Sequence, residues 1–256
     1  MKAMIFAAGL GTRLKPLTDT TPKALLPLAG KTLLQWQIDK LKAAGITNIV
    51  VNVHHFADQI INYLQQHNNF GCHVLISDER QALLETGGGL RKAQTLLLSP
   101  NTPLDHNQPI LVCNVDILSN IDLRAFINAY QRNDLGLLVV SQRNTQRYLL
   151  FDNDNILRGW TNIATGEIRP ATLPHDQAHT LAQFAFSGMQ ILSPRIFERM
   201  DKIVQDKGDK FSLIDLYLTL TETETIRAYI PEQYRMMDVG KISQLADAED
   251  FAESLI

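Results

Sequence analysis

Apolar residues between Ala3 and Ser141 fall into two alternating textures. Short continuous runs at Ala3 to Ala7, Asn48 to Val53, Cys72 to Ile76, Pro109 to Val115 and Gly136 to Ser141 end at glycine, polar or turn-forming residues, which predicts buried strands. Between them the apolar positions recur at helical spacing. Leu33, Leu34, Trp36, Ile38 and Leu41 mark a helix over Thr32 to Ala44 that Gly45 stops, and further helices are predicted at Ala57 to Gln66, around Leu90 to Leu98, and at Asp122 to Gln131. Strand and helix taking turns implies an α/β fold: a Rossmann-like, mixed and mostly parallel sheet with helices on both faces.

After Ser141 the texture changes. The stretch YLLFDNDNILRGW holds two strand-like runs about an Asp-Asn turn, which predicts a hairpin and the start of a small second β layer. Phe184 to Leu192 reads as a strand; Ser193 to Met200 and Ser212 to Leu220 read as short helices. Without an internal repeat or low-complexity tract, 1–256 is expected to be one domain, with halves at about 1–141 and 142–256.

Composition narrows the partners. With 256 residues, 45% of them hydrophobic, the chain can bury a sizeable core. A net charge of -3 without a basic run excludes a nucleic-acid footprint, so any phosphate ligand is expected to be small. Cys72 and Cys113 have no C-x-x-C spacing and read as buried thiols of a reduced compartment. MKAMIFAAGLG is too short an apolar run for a signal peptide, and nothing approaches the roughly 18 residues that span a bilayer. No membrane partner and a cytoplasmic location are therefore expected, as a monomer or small homo-oligomer.

The candidate chemistry begins at AAGLGTRLKPLTDTTPKALLPLAGKT, Ala7 to Thr32. A dinucleotide fingerprint fails because Leu14 stands where the third glycine belongs, and a P-loop fails because Leu25 stands five residues before Gly30. What remains is a small-residue turn after a strand, with Arg13 close behind Gly9 and Gly11 and Lys23 after Pro22. Backbone N–H groups there can approach phosphate oxygens, and the two cations can balance a triphosphate. Asp116 ends a predicted central strand and Asp238 lies in a loop near the C-terminus. Each reads either as a cap or turn residue or as a hard oxygen ligand for Mg²⁺.

Gly9 to Thr18 together with Thr21-Pro22-Lys23 resembles the signature of the sugar-1-phosphate nucleotidyltransferase family, and the likeness runs through most of the chain to MDVGK. The resemblance implies the nucleotide-diphospho-sugar transferase fold, with a nucleotide-binding first half and a sugar-binding second half. It implies nucleotidyl transfer from a nucleoside triphosphate to a sugar 1-phosphate, releasing pyrophosphate. Arg13 and Lys23 would stabilise the phosphates, and Ala7, Ala8, Gly9, Gly11 and Thr12 would wrap the nucleotide. Asp116 and Asp238 would hold Mg²⁺, although Met236 and Met237 stand where many relatives have tryptophan near the second aspartate. A catalytically silent sensor on this fold would be expected to lack one of these four side chains, and the chain keeps them all.

LLETGGGL sets three glycines before a helix, either a flexible helix entry or a run of exposed backbone donors that a flat base can approach; the resemblance implies nucleoside contacts at Glu85, Thr86, Gly87 and Gly88. Its E-T-G-G-G wording resembles the branch using UTP and N-acetylmuramate, or another N-acetylhexosamine, 1-phosphate. Guanylyl transfer to mannose 1-phosphate is the alternative. FAFSGMQIL resembles the family's sugar-side strand, which implies Ser187 and Gly188 near the hexose. His175 and His179 lack the glutamate of H-E-x-x-H and are flanked by Pro170 and Pro174, so they read as surface loop histidines; His54 and His55 end a strand, where one could approach the ligand, and a surface role is the favoured reading.

Overall fold

The computed structural model describes residues 1–98 and 108–255. Its main sheet has ten strands. From one edge run Glu167–Arg169, Leu157–Asn162, Arg147–Phe151, Ala182–Leu192, Ile110–Asn114, Lys2–Phe6, Asn48–Val53 and His73–Asp78. The last four are mutually parallel. Ala182–Leu192 runs antiparallel to Ile110–Asn114 and Arg147–Phe151, and the predicted hairpin pairs Arg147–Phe151 with Leu157–Asn162. Gly136–Ser141 also pairs with the long strand and takes Ile226–Tyr229 on its other edge.

The parallel strands read as unbroken apolar runs because both faces are covered. Ala3, Ile5, Ile49, Val51, Leu111 and Cys113 enter one core layer, while Met4, Val50, Ile110 and Val112 enter the other. Both layers draw side chains from either side of Ser141: Met189 and Val239 join the first, Leu216 and Tyr217 the second. Cys72 and Cys113 are free and buried. Among the described residues no helix is long and apolar enough to cross a membrane.

Helix starts follow their caps. Thr32 accepts from the Gln35 N–H to open Leu33–Ala43, and Asp122 accepts from Arg124 and Ala125 to open Leu123–Ala129. Two readings change. The segment expected to be a glycine loop ahead of a helix is itself helical, Glu85–Lys92. A Cβ on Gly87 would sit 2.4 Å from the Phe211 ring, and one on Gly88 would sit 2.0 Å from the Asp209 carbonyl oxygen, so close packing selects glycine against its poor helix propensity. His175–Ala178, expected as loop, makes one helical turn, with His175 and His179 exposed.

Candidate functional site

The parallel strands end together on one side of the sheet, where open α/β sheets place their ligands. Beyond Phe6, the N–H of Ala7 donates to Asn52 Oδ1 (2.7 Å), and Asn52 Nδ2 donates to Glu79 Oε1 (2.7 Å). Because a backbone N–H can only donate, the Asn52 amide has one orientation, and the loop following the first strand is tied across two neighbours. Gly9 is exposed; Gly11 adopts φ 64°, where an added Cβ would lie 2.8 Å from a Thr18 methyl. This sharp bend opens the short turn Thr12–Leu14, whose Leu14 is buried while Arg13 points outward.

Three connections bring the carboxylates together. Asp116 lies in the turn between Ile110–Asn114 and the three-residue strand Ile117–Ser119. That strand pairs antiparallel with Met236–Asp238, placing Asp238 opposite Ile117. On the other side Gln37 Nε2 donates to the Ile117 carbonyl (2.6 Å), and Lys40 Nζ donates to the carbonyl of Ser119 (2.6 Å). Helix Leu33–Ala43 thus satisfies the outer edge of the ladder, much as another strand would.

Lys23, only 8% exposed, forms an ion pair with Asp116 Oδ2. Asp238 Oδ1 is buried and has no hydrogen-bond partner, and a Cβ on Gly240 would meet that oxygen at 2.8 Å and Arg13 Nη2 at 3.1 Å. Burial, then the neighbouring Asp116 charge, pushes the Asp238 pKa up; Lys23, Arg13 and Arg143 pull the other way. Arg13, Lys23, Asp116 and Asp238 therefore form one cluster of two cations and two carboxylates. Among the described residues no group of three or more His, Cys, Asp and Glu could hold a metal. Two carboxylates with one orphaned buried oxygen suit a hard divalent cation whose remaining ligands are water and phosphate.

A cavity of about 360 Å³ opens beside this cluster, lined by Ala7, Ala8, Gly9, Lys23 and Asp116 together with Glu79, Glu85 and Thr86. Of the glycine segment, Glu85 and Thr86 reach this cavity. Gly87 and Gly88 do not offer free donors, since both N–H groups bond to the Phe211 carbonyl (2.9 and 3.2 Å). Glu79 is fully buried, its Oε2 makes no hydrogen bond, and burial pushes its pKa up against the Asn52 amide and the nearby Leu84 N–H. Asn52 and Glu79 were missed in the sequence; the available signal was a lone polar residue inside NIVVNV and a carboxylate just past the next strand. His54 does turn inward, Nδ1 lying 2.7 Å from the Glu79 carbonyl oxygen.

Ser212 also lines a second cavity of about 640 Å³, bounded by Arg143, Arg147, Trp160, Arg169 and Asp215. Ser187 and Gly188 fall where the long strand Ala182–Leu192 shifts its register with Gly136–Ser141. Ser187 is fully buried with its hydroxyl 3.3 Å from that of Ser141. Gly188 (φ 70°) is packed against Ile117 and Asn114, while the adjacent Phe186 bounds the cavity.

Residues 2–254 match the nucleotidyl transferase family. The chain is 33% identical over 261 residues to the N-acetylmuramate alpha-1-phosphate uridylyltransferase of Caulobacter vibrioides, covering 98% of this chain and 97% of that one. It is 46% identical to the enzyme of the same name from Neisseria meningitidis serogroup B over 125 residues, 49% of this chain and 51% of the relative. In fold it resembles HddC from Yersinia pseudotuberculosis complexed with GMP-PN, with a TM-score of 0.74 at 22% identity over 98% of this chain and 99% of that chain.

Proposed function

We propose that this chain, which belongs to the nucleotidyl transferase family, joins a nucleoside triphosphate to a sugar 1-phosphate, with UTP and N-acetylmuramate 1-phosphate as its pair. The observation that carries this reading is the cluster of Arg13, Lys23, Asp116 and Asp238, of which Lys23 and Asp116 line the cavity beside the Ala7–Gly9 backbone. The choice of base and sugar is supported by the Caulobacter relative, similar along nearly all of both chains.

The sugar phosphate needs no general base, because its second ionisation lies near pH 6. One of its oxygens attacks the α-phosphorus as the bond to pyrophosphate breaks. Lys23 and Arg13 offset negative charge gathering on the non-bridging and leaving oxygens, and the buried ammonium of Lys23 does so without reorganising. Exposed Gly9 lets the triphosphate lie close to the loop backbone. Asp116 and Asp238 would hold Mg²⁺, which supplies Lewis-acid neutralisation of phosphate oxygens when bound. The Asn52 bond to Ala7 holds the loop against the sheet while the nucleotide sits in the cavity.

Pyrophosphate release from four nucleoside triphosphates, each with N-acetylmuramate, N-acetylglucosamine, glucose and mannose 1-phosphates, tests the reading. UTP with an N-acetylated sugar is expected to lead. GTP with mannose 1-phosphate leading would move the assignment to guanylyl transfer, and no release from any pair would overturn it.

A further inference from the structure

We infer that a third cavity, between helix Leu33–Ala43 and the segment Ser119–Arg124, binds a small organic phosphate through Lys40, Arg124 and Arg235. The inference stands apart from the nucleotidyl-transfer reading, because among the described residues this cavity shares no lining residue with the two at the candidate site.

The cavity, of about 510 Å³, holds positive charge that nothing around it answers. Four cations line it against two carboxylates, Asp39 and Asp122, and both carboxylates are engaged. Asp39 Oδ2 pairs with Lys31 at 2.7 Å, and Asp122 Oδ1 accepts from the backbone N–H groups of Arg124 and Ala125 (2.8 and 3.0 Å). That leaves Lys40, Arg124 and Arg235, which among the described residues have no carboxylate partner. Arg124 Nη2 donates to the Ala43 carbonyl at 3.4 Å, and the Arg235 guanidinium rests over the Phe251 ring at 5.6 Å. Most of the N–H donors of both forks are therefore open to a ligand.

Lys40 distinguishes this place from an ordinary basic surface. Its Nζ donates to the Ser119 carbonyl (2.6 Å) and hydroxyl (3.0 Å), which uses two of the three donors that an ammonium carries. Burial lowers its pKa to about 8, and no carboxylate offsets that cost. An anion accepting from the third N–H would supply the missing counter-charge. The two guanidiniums add the planar N–H pairs that grip phosphate oxygens. A phosphate group alone leaves much of the space empty, and the apolar part of the wall, Trp36, Ile121 and Leu123, suits the carbon skeleton of a small ester. Because Lys40 also holds the end of strand Ile117–Ser119, a bound ester secures that strand as well, and the occupied protein should melt at a higher temperature.

Titration calorimetry of the full chain, without nucleotide or Mg²⁺, takes inorganic phosphate, glycerol 3-phosphate and glycerol as probes. The proteins are the wild type, Arg124→Gln, Arg235→Gln and, at the candidate site, Arg13→Gln. Both phosphates are expected to bind, the ester more tightly, and glycerol not at all. Arg124→Gln and Arg235→Gln should each weaken ester binding roughly tenfold, the scale of one lost charge-assisted contact, while Arg13→Gln leaves this binding in place. The rise in melting temperature with ester, read for each variant against its own ligand-free midpoint, gives the same comparison where a variant is less stable. No binding of either phosphate overturns the inference. So does binding that Arg13→Gln removes and the two cavity variants leave unchanged. Glycerol 3-phosphate binding no better than inorganic phosphate would overturn the assignment to an ester.

Discussion

The N–H of Val239 donates to the carbonyl oxygen of Asp116 at 2.9 Å, joining residues 123 positions apart. With Asp238 opposite Ile117, this bond extends the short ladder to the turn holding Asp116, so the two carboxylates are set by backbone pairing. Replacing either with asparagine should keep the fold and withdraw a negative oxygen donor. Asp116→Asn is expected to abolish Mg²⁺-dependent turnover. Asp238→Asn is expected to raise the half-saturating Mg²⁺ concentration by roughly 10- to 100-fold. Activity titrated against Mg²⁺ checks both, and wild-type curves for both variants would remove the aspartates from a metal role.

Lys23 neutralises Asp116 from a nearly closed position. Lys23→Ala should lower kcat by roughly 10²- to 10³-fold, the scale on which one preorganised charge stabiliser acts. Its circular dichroism should match the wild type, because Asp116 remains partly open to water and can be solvated. Unchanged kcat and KM would exclude Lys23 from the reaction.

Asn52→Ala should strike both stability and nucleotide binding. The substitution leaves the Ala7 N–H and the buried Glu79 carboxyl without their partners. Orphaning buried polar groups costs about 1–3 kcal/mol each, and Glu79 can recover part of that by keeping its proton. A fall in the urea midpoint should accompany a higher KM for the nucleoside triphosphate, with the KM for the sugar 1-phosphate unmoved. Loss of stability with both KM values unchanged would mean that the Ala7 loop holds its shape without this tether.

Alternation made the sheet legible before the site. NIVVNV and GLLVVS coincide with Asn48–Val53 and Gly136–Ser141 because a strand covered on both faces shows as an unbroken apolar run. Ile117–Ser119 and Met236–Asp238 escaped because three residues carry no period, and only their pairing across the fold makes them strands. The glycine helix escaped for the opposite reason: local propensity spoke against it, and contacts with Phe211 and Asp209 overrode it. At the candidate site, the loop cations and Asp116 at a strand end stood out by type and position, whereas Asp238, expected in a loop, ends the strand Met236–Asp238, and the metal role of both aspartates came from the family resemblance. Gln37, Lys40, Asn52 and Glu79 act through hydrogen bonds to distant backbone or to one another, which no spacing along the chain displays.

Lys40 offers a test of the clamp on that ladder through pH. Burial lowers its pKa from 10.5 to about 8, with the nearby Cys113 acting in the opposite direction. Below about pH 8 the ammonium is charged in both folded and unfolded chains, and the folded state bears the full cost of burying it. Between about 8 and 10.5 the unfolded chain binds a proton that the folded chain has released, so this group makes stability rise with pH. The full gain is roughly 3 kcal/mol, reached only above about pH 10.5. Cys113 works the other way, since burial raises its pKa to about 12 and its contribution falls as pH climbs past 9. Because Cys113 is present in both proteins, the difference between wild type and Lys40→Met largely isolates Lys40. Urea unfolding at pH 7.5 and pH 10 should show the wild type gaining on the variant at the higher pH. A difference that stays constant would mean that the bonds from Lys40 to the Ser119 carbonyl and hydroxyl keep the ammonium charged in the folded protein throughout that range.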